Sequence, residues 1–300
     1  VRAGGRRPPK PGAGFVGRAG GPVRAALCLF ALGLAAPGAA AQALNLGATD
    51  SKLPIEIFAD QGIEWQQDGL VFLARGNARA VRGDVEVLAD ELRAFYRNTG
   101  GGTEIWRLDA AGSVRIRSPS ETAYGNSAVY DVDSAVLVLT GGKPRLVTAN
   151  EELTAERQIE YWEQKQMAVA RGNALAKRED KSLSADVLAA YFRKDAAGKS
   201  RIYRVDAFDR VRIVTPEETA VAERGVYNVD SGVATLAGSV RITRVGNVID
   251  GCSAEYNMNT GVSKMFACKP TAGGTRRVHG LIQPAEAKKA REPAATGKEK

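Results

Sequence analysis

Little in this chain can do covalent chemistry. Its only histidine, His279, lies near the C-terminal end in a stretch rich in Ala, Gly, Pro and Lys, so His-based nucleophile activation and His-rich metal sites lack their parts. Asp131 and Asp133 have the spacing of an acid pair, but their counterparts one repeat later are Asn228 and Asp230, and Asx residues in such places form turns. No phosphate-cradling glycine motif leads from a strand into a helix. Of the cysteines, Cys28 sits in an apolar N-terminal run, whereas Cys252 and Cys268 are an even pair suited to a disulfide in an oxidising compartment; two unpaired buried thiols are the alternative. The expectation is a protein that is not an enzyme, with no cofactor and no metal.

The net charge of +8 suggests nucleic acid until it is located. Six of the 42 basic residues and none of the 34 acidic ones precede Ala25; seven basic and three acidic residues lie in 271–300. The body between carries a net charge of −2, so there is no general attraction for a phosphate backbone and no nucleic acid is expected. The basic leader is followed by an apolar run from Ala25 to Ala36 and a small-residue segment ending near Ala41 or Ala43. Residues 1–43 therefore read as a signal peptide, its apolar run too short for a bilayer span, and the mature chain is expected in the periplasm. Residues 271–300 lack periodicity and read as a disordered tail.

The body repeats itself. Leu73-Ala74-Arg75-Gly76-Asn77-Ala78 returns as Val169-Ala170-Arg171-Gly172-Asn173-Ala174, 96 residues on, and Tyr130-Asp131-Val132-Asp133-Ser134 returns as Tyr227-Asn228-Val229-Asp230-Ser231, 97 residues on. Residues 44–270 thus hold two homologous modules, 55–150 and 151–247, and a terminal hairpin. Within them the period is two: Val114 and Ile116 alternate with Arg115 and Arg117, Val211 and Ile213 with Arg212, Val240 and Ile242 with Arg241. The arginines, with Arg244, read as a solvated outer face. Glycines and Asx residues punctuate the strands, with slightly longer insertions at 97–104 and 194–201. The fold class is all-β: stacked short antiparallel strands with open edges.

Leu137-Val138-Leu139-Thr140-Gly141, Ala89-Asp90-Glu91-Leu92 and Ala185-Asp186-Val187-Leu188 resemble the repeat of the OstA-like/LptA family of lipopolysaccharide transport proteins, over roughly residues 46–268. Gly141-Gly142-Lys143-Pro144 departs from the pattern after one repeat glycine. The resemblance implies a twisted, open β-jellyroll whose apolar interior holds acyl chains. It also implies a carrier bridging inner and outer membranes, with lipopolysaccharide as ligand. The partners implied are inner-membrane LptC-like and outer-membrane LptD-like OstA-domain proteins, and head-to-tail self-association.

On alternation, the groove candidates are Phe72, Val114, Ile116, Leu137, Leu139, Val211, Ile213, Leu236, Val240 and Ile242, a set poor in aromatics. Ile55 and Ile57 in the first strand, with Val262 and Met265 in the last, are the candidate docking edges, because an open sheet end presents unpaired backbone groups. Tyr130, Tyr227 and Tyr256 recur before turns and are expected to pack strand ends. The competing reading is a solid β-repeat scaffold or surface interaction protein with no groove; a carbohydrate-active β-helix enzyme comes third.

Overall fold

The computed structural model describes residues 55–100, 102–196, 200–257, 259–260, 262–269 and 277–283; the leader, with Ala41 and Ala43, and most of 271–300 lie outside them. The alternating segments form β1 (Glu56–Phe58), β2 (Gly62–Gln66), β3 (Val71–Arg82), β4 (Val85–Thr99), β5 (Gly102–Arg117), β6 (Glu121–Asp131), β7 (Val136–Thr140), β8 (Arg145–Thr148) and β9 (Glu151–Thr154). They continue as β10 (Gln158–Trp162), β11 (Met167–Arg178), β12 (Lys181–Lys194), β13 (Ser200–Val214), β14 (Glu218–Asn228), β15 (Val233–Arg244), β16 (Asn247–Asn257), β17 (Val262–Phe266) and β18 (His279–Leu281).

All pairings are antiparallel and belong to one sheet. From β3 to β6 and from β11 to β16 each strand pairs with the next. Four rows are made of two collinear pieces. β1 and β2 both lie along β3, and β7 and β8 both lie along β6. At the module junction β10 pairs with β7 and β9 with β8, and both then pair with β11. β17 and β18 share β16. Neither terminal row has a partner on its outer side among these pairings, so the all-β, open-ended expectation holds.

The strands differ from the expected short pieces. Glycines read as strand boundaries lie inside strands of 12 to 16 residues, at a corner where the register shifts: Gly76-Asn77 in β3, Gly112-Ser113 in β5, Gly172-Asn173 in β11 and Gly238-Ser239 in β15. Both residues of each pair have positive φ, and so do Asp209 (60°) and Arg210 (50°) at the equivalent corner of β13. A two-residue bulge bends a strand without ending it, so each long strand supplies both wings of a folded sheet. Gly112 has a second reason to be glycine: a Cβ there would lie 2.1 Å from Asp90 Oδ2. Of the segments expected as insertions, residues 97–99 and 102–104 instead extend β4 and β5, while of the second segment Lys194, Ser200 and Arg201 belong to β12 and β13.

Two packed clusters fill the inside of the corner, one around Val114, Ile116, Leu137 and Leu139, the other around Val211, Ile213, Val240 and Ile242. At the C-terminal end Cys252 in β16 and Cys268 just beyond β17 are bridged, with Cα atoms 4.9 Å apart. The expectation of a wholly disordered tail is corrected at His279–Leu281. These residues pair with Val248–Asp250, the stretch of β16 that β17 leaves uncovered, and so satisfy backbone groups no local periodicity announces.

Candidate functional site

Directly opposed residues on neighbouring strands share a face, so the pairing register traces rows of side chains across the sheet. On one wing a row runs through Ile63, Ala74, Leu92, Ala110, Ala128, Leu139 and Ile159, then Ala170, Leu188, Ala207, Gly225, Leu236, Ala254 and Met265. On the other wing a row runs through Ile57, Ala80, Val87, Ile116, Ala123, Leu146 and Leu153, then Ala176, Leu183, Ile213, Ala220, Ile242, Ile249 and Gly280. Neither row holds a polar side chain. At the spacing of paired strands each lane is about 60 Å long.

The two lanes face each other across the fold, because members of both line the same cavities. An apolar cavity of about 90 Å³ near the first rows is lined by Ile57, Val87 and Ile116 from one wing and by Ala74, Leu92 and Ala110 from the other, with Phe72, Leu137, Tyr130 and Ile105. A second, of about 160 Å³, spans the module junction between Leu146, Leu153 and Leu183 on one side and Leu188, Phe192, Ile202 and Val205 on the other. A third, of about 40 Å³, lies between Ile213 and Leu236 in the second module and includes Val211.

The ten groove candidates divide accordingly. Phe72, Ile116 and Leu137 line the first cavity; Val211, Ile213 and Leu236 line the third. Val114, Leu139, Val240 and Ile242 are buried in the packed corner and line none of these apolar cavities. Ile105, Phe192 and Ile202 were not singled out by alternation, since Ile105 and Ile202 abut the supposed insertions.

The mouth of the trough is charged. Two residues beyond the second lane, on the same face, stand Arg82, Glu121, Glu151, Arg178, Lys181, Glu218 and Arg244. Glu121 and Glu218 are buried, and burial pushes their carboxyls up to about 8 and about 7. Burial also raises the Tyr130 and Tyr161 phenols, which flank Leu137 in register inside the fold. Of the recurring tyrosines, Tyr130 and Tyr256 are buried and Tyr227 is partly so.

The end rows expose apolar side chains. Ile55, Ile57 and Ile63 line the first cavity, and Phe58, Trp65 and Ile63 itself are exposed, Trp65 by 57%. The Trp65 ring stacks on Phe72 at 5.2 Å and its Nε1–H donates to Tyr96 Oη at 2.8 Å. At the other end Val262, Phe266, Leu281 and Ile282 are exposed, and Met265 is partly buried. Arg115, Arg117, Arg212 and Arg241 are on the solvent side. Among the described residues there is no cluster of three or more His, Cys, Asp or Glu able to hold a metal.

The family model described as LptA/(LptD N-terminal domain) LPS transport protein matches residues 56–166 and again 152–262. No curated protein matches the chain. A matching solved structure is the crystal structure of LptH, the LptA homologous periplasmic component of the lipopolysaccharide transport device of Pseudomonas aeruginosa. It shares 12% identity over 79% of this chain and 99% of that one, at a TM-score of 0.19, too low to add weight. The two family matches begin within a residue of the two repeat modules and together span both, and on that ground the chain belongs to the LptA/LptD N-terminal domain family of LPS transport proteins.

Proposed function

We propose that this protein is a periplasmic carrier of lipopolysaccharide, holding lipid A acyl chains between its two apolar lanes. The observation that carries the reading is the pair of uninterrupted lanes, facing across cavities that the packed corner does not fill. Ten buried CH2 groups contribute about 8 kcal/mol before the costs of ordering. Because every row offers an aliphatic or Ala side chain or a glycine at the same place, a chain displaced by one row meets a similar surface. Such a lane has no deep well to trap its cargo, and movement along it needs no chemistry by the protein. The direction of movement would come from an energy source elsewhere.

In this reading the β1/β2 edge and the β17/β18 edge continue the trough into neighbouring OstA-domain proteins: LptC-like at the inner membrane, LptD-like at the outer membrane, or a further copy of the chain. Exposed Phe58 and Trp65 at one end, and Val262 and Phe266 at the other, support this. The solid-scaffold alternative requires close packing between the lanes, whereas apolar space remains there, bounded by Leu146 and Leu183 on one side and Leu188 and Phe192 on the other. The test is a photo-crosslinker at Ile105 or Ile202 in cells exporting lipopolysaccharide, with exposed Arg224 as control. Adducts are expected at the two interior positions; folded protein with no adduct at either would reject the carrier.

A further inference from the structure

On the outer side of the corner, where the two modules meet, a polar cleft of about 680 Å³ opens between β5, β6 and β8 on one side and β9 and β11 on the other. It exists because both rows at the junction are broken there: Gly141 to Pro144 separates β7 from β8, and Ala155 to Arg157 separates β9 from β10. Pro144 is fully buried and anchors the first break, so exposed Lys143 and Arg145 on either side of it are fixed at the cleft wall. Arg115 reaches the same cleft from β5.

These three cations differ from most arginines of the outer face, which are tied to carboxylates: Arg79 to Glu86 at 2.5 Å, Arg117 to Glu86 at 3.1 Å, Arg204 to Asp206 at 2.6 Å. Among the described residues no carboxylate lies within ion-pair distance of Arg115, Lys143 or Arg145. Both guanidinium groups instead lie over the Tyr124 ring, Arg115 at 5.3 Å and Arg145 at 4.3 Å from its centroid, which orients them without neutralising them. Two carboxylates also line the cleft. Glu156 accepts from Asn173 Nδ2 at 2.6 Å, and Glu152 stands in register opposite Lys177. Ser113, Asn126 and Thr154 complete the lining with hydroxyl and amide groups.

The second module supplies an internal control. In register, Arg115, Tyr124, Arg145 and Thr154 correspond to Arg212, Val221, Arg241 and Asp250. There the tyrosine is absent, and Arg241 donates to Asp250 at 2.6 Å. The same row of the sheet is thus closed by a carboxylate in one module and left cationic in the other.

We infer that the cleft at the module junction is a binding site for a phosphorylated saccharide, with Arg115, Lys143 and Arg145 receiving the phosphate and Asn126, Ser113 and Thr154 receiving sugar hydroxyls. Phosphate takes charge-assisted bonds from pre-oriented guanidinium groups, and neutral amides and hydroxyls suit a sugar. The site lies outside the trough and does not depend on what the trough carries.

The test is calorimetric titration of the whole chain with glucose 6-phosphate, inorganic phosphate and unphosphorylated glucose, alongside co-sedimentation with phosphatidylglycerol vesicles. Saturable binding of the ester is expected, tighter than that of either component. It should weaken at least tenfold in Arg145→Gln and in Thr154→Asp, which rebuilds beside Arg145 the carboxylate found beside Arg241, and stay within twofold in Arg241→Gln. Arg145 and Arg241 are exposed and Thr154 is half-buried, and circular dichroism checks the fold. No saturable binding, an equal loss in Arg241→Gln, glucose or inorganic phosphate binding as tightly as the ester, or binding to vesicles alone would each overturn the inference.

Discussion

Glu121 and Glu218 stand at matching places in the two modules, each the first residue of a strand after a proline-containing turn whose Ser118 or Thr215 N–H donates back to its carbonyl at 2.9 Å. Both side chains are buried, at 5% and 4% exposure, and at least one carboxyl oxygen of each has no hydrogen-bond partner. A carboxyl so placed favours its neutral form.

The consequence for pH follows from the direction of the shifts. In the unfolded chain these groups release their protons near the ordinary 4.5, whereas the folded chain holds them to about 7 at Glu218 and about 8 at Glu121. Their contribution to stability is therefore fully present below about 4.5, declines as pH rises through 7 to 8 and is flat above. The slope approaches about 1.4 kcal/mol per pH unit where one group alone titrates. Urea midpoints at pH 5, 7 and 9 should show Glu121→Gln less pH-dependent than the parent and more stable at pH 9; parallel curves would contradict this.

Removing the disulfide should loosen the C-terminal rows. Cys252 and Cys268 are 16 residues apart, and a loop of that length constrains the unfolded chain by about 3 kcal/mol. Denaturation of Cys268→Ser, or of the parent under reducing conditions, should shift to lower urea by that amount. Hydrogen exchange should quicken most in β16 to β18.

The corners predict opposite effects for two substitutions. Gly112→Ala puts a Cβ on a residue with φ of 77° and into Asp90, and should cost about 2 kcal/mol. Asp209→Gly relieves a left-handed residue at an equivalent corner and should be neutral or stabilising by up to about 1 kcal/mol. Thermal unfolding of the two variants decides it; a loss of stability at Asp209→Gly would show that its side chain is needed.

Packing and binding should separate between corner and cavity. Leu139→Ala removes a side chain that is 2% exposed and lines none of the apolar cavities, and should cost about 2–5 kcal/mol. Ile202→Ala, beside open space, should cost less than half as much while lowering crosslinking of lipopolysaccharide to neighbouring positions. Equal destabilisation would mean that the trough is solid.

At the first edge, Ile57→Pro should weaken association with an OstA-domain partner several-fold and leave the far-ultraviolet spectrum unchanged, since β1 is three residues long and pairs only with β3. Binding measured by surface plasmon resonance that does not change in a folded variant would place the contact elsewhere.

Alternation at Val114, Ile116, Val211 and Ile213 was enough to read strands and an inner face, and the 96-residue repeat was enough to read two modules. The corners were misread because a glycine with positive φ has the same signature in a bulge as in a turn. Separating them needs the register, in which Arg75 and Ala78 of β3 pair with Glu91 and Ala89 of one continuous β4. The same bend explains why Val114 and Ile116, two residues apart on one face, differ: only Ile116 lines an apolar cavity, while Val114 lies beside the bulge in the packed corner. Period-two patterning assigns faces but not depth along a bent strand. β18 escaped because three residues carry no periodicity, and its place is set by the uncovered backbone of β16.

The order of rows in space is nearly their order along the chain, the exchange of β7 through β10 at the junction being the one detour. A chain delivered N-terminus first can therefore lay each strand on the one before it, with no segment waiting for a distant partner. Assembly is vectorial, and barriers from loop closure stay low for a protein made wholly of strands. The rows laid last are β17 and β18, so the bridge between Cys252 and Cys268 ties down the strands that complete the sheet.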